Sequence, residues 1–188
     1  MSLNVLVLVG SLRAESTNAR LARAVKDLAP EGAEVTIFDG LSQLPFFSED
    51  IEAEEPAAVR RLRDAVVAAD AVLFVTPEYN GSVPSALAAA SEWLSRPFGN
   101  GVVVGKPVVV IGAAFGPAGG GNAHTILRRA MTIAGARVLA DEFLAIPGVH
   151  HRFAEAAPQD DAEILAGVTA VFDAFAHELA GELEGASA

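Results

Sequence analysis

The sequence contains no cysteine, which removes disulfides, thiolate metal sites and thiol nucleophiles from consideration. Positive charge is scarce: 13 Lys and Arg stand against 24 Asp and Glu, a formal charge of −11. So acidic a surface suits neither nucleic acid nor an anionic membrane, and neither is expected as a partner. Long apolar runs are missing as well. The first, Val5–Val9, is far too short for a bilayer span or a signal-peptide core, and no basic region precedes it. A soluble, cytoplasmic protein is the resulting expectation. The four histidines, His124, His150, His151 and His177, lack zinc-ligand spacing and read as surface residues, with His124 close to a glycine-rich loop. No metal site and no Ser-His-Asp arrangement is evident.

What the sequence does contain is alternation. Apolar runs at Val5–Val9, Ala71–Val75 and Val108–Ile111, an alternating stretch at Glu34–Phe38 that suits an edge strand, and a fifth segment within Arg137–Ile146 read as strands. Helical patterns lie between them. The first carries Leu21, Ala22, Val25, Leu28 and Ala29 on one face, and the second Val59, Leu62, Val66 and Val67. An alanine-rich third, Ser85–Ser95, contains Trp93, and a fourth turns Ile126, Leu127, Ala130, Ile133 and Ala134 inward. The last begins near Asp160 and buries Ile164, Leu165, Val168, Phe172, Phe175 and Leu179. Strands alternating with helices predict an α/β fold: one domain over residues 1–188, with a five-stranded parallel sheet of order 2-1-3-4-5 between two helical layers. In such sheets a ligand lies beyond the carboxyl ends of the strands, where the strand order reverses between strands 1 and 3.

Three unusual loops follow strands 1, 3 and 4, and all should meet at that rim. The first is Gly10-Ser11-Leu12-Arg13-Ala14-Glu15-Ser16-Thr17-Asn18. A buried strand turning into a helix leaves amide donors and the positive end of the helix dipole facing outward. Ser11, Ser16 and Asn18 add side-chain donors, and Arg13 a charge suited to phosphate. Ser16 or Thr17 serves as N-cap, but capping accounts for only one hydroxyl. The second loop, Thr76 to Pro84, places Glu78, Tyr79 and Asn80 between prolines and ends its bend with Gly81. The third, Gly112 to Gly121, is small enough to admit a flat ring. A phosphate site beside a slot for a planar base describes flavin mononucleotide (FMN). Amides of the Tyr79-Asn80-Gly81 segment would face the flavin's pyrimidine edge. The Glu78 carboxylate would accept from the ring N–H or pair with an arginine. Asp39 follows strand 2, but the first loop lacks the G-x-G-x-x-G of a dinucleotide fold, so it reads as a surface turn. Phe46 and Phe47 read as packing residues under a long connection, and the acids from Glu49 to Glu55 as the solvated start of a helix.

These residues resemble a known family. Gly10-Ser11-x-Arg13-x-x-Ser16-x-Asn18 is similar to the phosphate loop of the NAD(P)H-dependent FMN reductases of the flavodoxin-like superfamily. Pro77-Glu78-Tyr79-Asn80, Pro84 and Trp93-Leu94-Ser95-Arg96-Pro97 resemble that family's second signature, and Gly116-x-x-Gly119-Gly120 with Leu127-Arg128 its third loop and helix. The resemblance implies that Ser11, Arg13, Ser16, Thr17 and Asn18 hold the FMN phosphate. It implies that Pro77, Glu78, Tyr79, Asn80 and Gly81 hold the isoalloxazine, with Gly116 and Gly119 in the third loop. It also implies a homodimer or homotetramer with the Trp93 helix at the dimer contact. The implied reaction has two steps: NADPH or NADH passes hydride to the flavin, and a small acceptor (free flavin, a quinone, an azo compound or an oxidised metal ion) then takes the electrons. Ser85, Ala88, Ala114, Phe115 and Pro117 depart from the family pattern and leave the acceptor and the NADH or NADPH preference open. The alternative is a flavodoxin-type electron carrier without small-molecule turnover.

Overall fold

The computed structural model describes residues 2–13, 15–139 and 144–185. Six strands form its sheet: β1 (Leu3–Val9), β2 (Ala33–Ile37), β3 (Ala71–Val75), β4 (Pro107–Ala113), β5 (Arg137–Val138) and β6 (Ala145–Ile146). Their order is β2-β1-β3-β4-β5, every pairing is parallel, and β6 pairs with the far end of β4. The fold is thus flavodoxin-like with the expected order. One strand was expected within Arg137–Ile146. Two short ones stand at its ends, and residues 140–143 between them lie outside the described residues.

The unbroken apolar runs are explained by burial on both faces. Val5, Val7 and Val9 of β1 point into one core with Leu73 and Val75 of β3 and Val109 and Ile111 of β4. Leu6 and Leu8 point into the other with Val72, Phe74, Val108 and Val110. The first core is covered by α1 (Thr17–Asp27), α5 (Val149–Glu155) and α6 (Ala162–Gly185), and the second by α2 (Ala57–Ala68), α3 (Ser85–Leu94) and α4 (Gly121–Ile133). The segment Ala162–Gly181 of α6 is long and apolar enough to cross a membrane by length and composition, with mean hydropathy 1.3. Here it lays Ile164, Val168, Phe172 and Phe175 against the sheet.

Several apolar side chains expected inward face solvent: Val67, Ile126, Ile133 and Leu165. Each sits one position from a buried neighbour (Val66, Leu127, Ala134 and Ile164), and one residue rotates the side chain by about 100° around the helix. The sheet covers a narrower stripe than the sequence offers. Phe47 packs edge-on against Trp93 at 5.1 Å, as expected, whereas Phe46 is exposed. Trp93 is buried within its own chain and donates to the Pro45 carbonyl (2.9 Å), which pins the long connection to α3. Asp39 lies on the surface and pairs with Arg61. His124 is fully buried, contrary to the surface reading, because it lies on the inner face of α4 with Leu127 and Met131.

Candidate functional site

The carboxyl ends of β1, β3 and β4 open into one cavity of about 550 Å3. The first loop and α1 supply Ser11, Arg13, Glu15, Ser16, Thr17, Asn18 and Arg20 to its wall. The second loop adds Pro77, Glu78 and Tyr79, and the third adds Ala113, Ala114 and Phe115. Most of the predicted site residues are therefore brought together. Asn80, Gly81, Gly116 and Gly119 fall outside the wall.

At the α1 end, Ser16 is the N-cap, and its hydroxyl accepts from the Ala19 amide at 3.3 Å. That leaves the hydroxyl proton available to a ligand, since a serine oxygen both donates and accepts. The amides of Thr17 and Asn18 belong to the first helical turn, where no intrahelical acceptor exists. Asn18 differs from expectation. Its side chain is buried, donating to the Ala113 carbonyl (2.8 Å) and accepting from the Ala113 amide (2.9 Å). It ties α1 to the end of β4 through its carbonyl oxygen and one of its two N–H groups. Arg13, the hydroxyls of Ser11, Ser16 and Thr17, and the helix N-terminus form a donor set suited to a phosphate monoester. Glu15 is the acid bordering this end and is exposed.

The second loop is a tight hairpin. Tyr79 and Ser82 exchange backbone hydrogen bonds at 3.0 Å, and Asn80 (φ 53°) and Gly81 (φ 71°) take the left-handed conformation between them. Asn-Gly is the pair that adopts two successive positive φ values at least cost. The Tyr79 hydroxyl meets the Ser11 hydroxyl at 3.2 Å, joining the second loop to the first. Glu78 turns toward the start of α4. Its carboxylate accepts from the Asn122 amide (3.0 Å), the Asn122 side chain (3.1 Å) and the Ala123 amide (3.4 Å) at the start of α4. The Asn122 side chain, followed by these amides, holds the Glu78 carboxyl below the usual carboxylate range against the opposing effect of burial. Gly119 serves packing: at φ 59° it lies so close to the Ala145 backbone that a Cβ would stand 2.3 Å from it.

The remaining wall comes from α5, a helix not expected from the sequence. Val149, His150, Phe153 and Ala154 line the cavity. The available signal was Gly148 followed by Val149 and Phe153 at helical spacing, both of which are buried. Arg20 of α1 donates to the Phe153 carbonyl (3.0 Å) and lies over its ring at 5.3 Å. Exposed Phe115 meets the His150 ring at 5.1 Å. A volume of about 550 Å3 lies within the roughly 300–1,000 Å3 typical of small-molecule pockets. The chemistry of its donors fits a phosphorylated, planar cofactor.

Comparison with known proteins bears on this geometry. The NADPH-dependent FMN reductase family matches residues 3–151. A quinone reductase of Pseudomonas putida is 45% identical over 129 residues, 68% of this chain and 69% of that protein. An NAD(P)H-dependent FMN reductase of Pseudomonas aeruginosa is 38% identical over 130 residues, 69% of each chain. Among solved structures, the flavoenzyme NAD(P)H:(acceptor) oxidoreductase FerB of Paracoccus denitrificans superposes with a TM-score of 0.76 at 28% identity, covering 94% of this chain and 98% of that one.

Proposed function

This chain belongs to the NADPH-dependent FMN reductase family, and from that premise we propose that the cavity is its flavin site and that quinones are its electron acceptors. The protein is an oxidoreductase that uses FMN and NAD(P)H and serves small acceptors. Bound FMN supplies the electron chemistry, taking hydride from NAD(P)H and returning electrons to the acceptor. The chain's own task is to bind, orient and shield. Ser11, Arg13, Ser16 and Thr17 hold the phosphate together with the first-turn amides of α1. The Pro77–Gly81 loop would border the ring through Pro77, Glu78 and Tyr79, which line the cavity, and backbone dipoles there would stabilise negative charge on its pyrimidine edge. Gly119 contributes by giving the third loop its path against the Ala145 backbone. No side chain is required as an obligatory acid or base.

The observation that carries this reading is the meeting of a phosphate-suited helix N-terminus and a rigid hairpin in one cavity. Exposed Phe115, braced by His150 at the same cavity, offers a flat acceptor an aromatic surface, which supports the quinone assignment. We read residues 1–188 as one FMN-binding domain, cytoplasmic because its reductant is NAD(P)H. It assembles as a homodimer or homotetramer, supported by the exposed Ile126 and Ile133 on one side of α4.

The test is the visible spectrum of the purified protein under anaerobic conditions. Flavin bands that bleach on adding NADPH and return on adding benzoquinone are expected. A colourless protein that ignores added FMN overturns the flavin site. Bleaching that no quinone reverses, with no other small acceptor turned over, would instead identify an electron carrier.

A further inference from the structure

The start of α4 lacks a local cap. Its N-cap is Gly120, left-handed at φ 100°, and no side chain at that position satisfies the first-turn amides. The acceptor comes from 44 residues upstream: Glu78 Oε2 takes the Asn122 amide, and Oε1 takes the Asn122 side chain. A carboxylate at this position also meets the positive end of the helix dipole. Three donors are directed at it, and they turn the carboxylate toward α4.

Glu78 also immediately precedes the hairpin whose amides border the proposed ring site. That hairpin closes on itself through Tyr79 and Ser82, so its internal hydrogen bonds fix its shape but not its direction. Two side chains at its start tie it to its neighbours. Tyr79 reaches the first loop through Ser11, and Glu78 reaches the helix that follows the third loop. The hairpin is thus braced on both neighbours, and the three loops behave as one frame.

We propose that Glu78 is a positioning residue, holding the ring-facing hairpin in register by capping α4 from outside, and is not itself a flavin ligand. The inference rests on the flavin site proposed above. It predicts a defect confined to the ring end of the cofactor. FMN and riboflavin share that ring, and riboflavin lacks the phosphate.

Fluorescence titration of the full chain with both flavins tests it, alongside thermal melts. E78A is expected to weaken FMN and riboflavin by the same factor, about tenfold, because the hairpin loses its tie to α4 while its tie to Ser11 remains. E78Q, which keeps a carbonyl acceptor, is expected to recover most of that loss. N122A removes one bond and leaves both backbone amides engaged, and a common loss of about threefold is expected. Should E78A fail to fold, N122A carries the test on the same criterion. Unchanged affinity for both flavins with a lowered melting temperature would overturn the proposal, reducing Glu78 to a helix cap. A loss for FMN alone would also overturn it, since the effect would then lie at the phosphate. A wild-type chain that binds neither flavin overturns the flavin site itself and this inference with it.

Discussion

Arg13 is the side chain whose chemistry best suits the proposed phosphate end of the cavity. Its guanidinium can meet two phosphate oxygens in a fixed plane, which no lysine in its place could do. Arg13→Ala is expected to weaken FMN by about 1.5–3 kcal/mol, the scale of a hydrogen bond to a charged group. Riboflavin binding should stay unchanged in the same titration, and equal losses for both would place Arg13 away from the phosphate. Single residues show where reading a sequence succeeds and where it stops. Ser16 was legible as one of two candidate caps, beside Thr17, because capping depends on local chain geometry alone. Asn18 was legible as a donor, but its direction was not, because its partner Ala113 lies 95 residues away. Glu78 posed the same problem, since the amides it serves become its neighbours only after the sheet has formed.

At the scale of elements, α5 depends on a clamp at its far end. Arg152 pairs with Asp161 (2.5 and 2.7 Å) and with Glu163 (2.7 Å). Asp161 also accepts from the Glu163 and Ile164 amides at the start of α6. The Arg152 side chain, aided by the Ile164 amide, lowers the Asp161 carboxyl to about 2 from 3.8. Arg152 shifts upward, first through the same hydrogen bonds to Asp161. Because the folded value is the lower one, the unfolded chain binds more protons between about 2 and 3.8, and stability rises with pH across that window. The contribution is complete above 3.8 and lost as pH falls through about 2. We expect it to reach about 1–2 kcal/mol, less than the full shift implies because the pair borders solvent. Urea melts of the wild type and Asp161→Asn across this range should converge at the acid end; a constant gap would exclude the ionised pair as its cause. The short α5 escaped notice in the sequence because seven residues hold too few apolar positions to display a period. The strands and longer helices stood out because burial on both faces, or along a wide stripe, repeats its demand many times.

For the whole molecule, the two cores on opposite faces of one sheet leave the outer side of α4 exposed. Ile126 and Ile133 lie seven residues apart on that side, so their side chains share a face. If this face is the subunit contact, the double variant Ile126→Glu and Ile133→Glu should run near the 19.4 kDa monomer mass in light scattering, while the wild type runs at a multiple of it. Identical masses would move the contact elsewhere. Trp93 itself is buried against Phe47 and Pro45 of its own chain.

The alternation of apolar runs and helical periods was enough by itself to determine the layered fold, the strand order and the meeting of three loops at one rim. Those features follow from burial repeated along the chain and from the handedness of parallel connections. Only the tertiary structure decided which donors remain free at that rim. Asn18 and Glu78 join elements, and α5 closes the cavity's remaining wall. Such outcomes depend on pairs brought together across many residues, and no local pattern encodes the direction in which a polar side chain finds its partner.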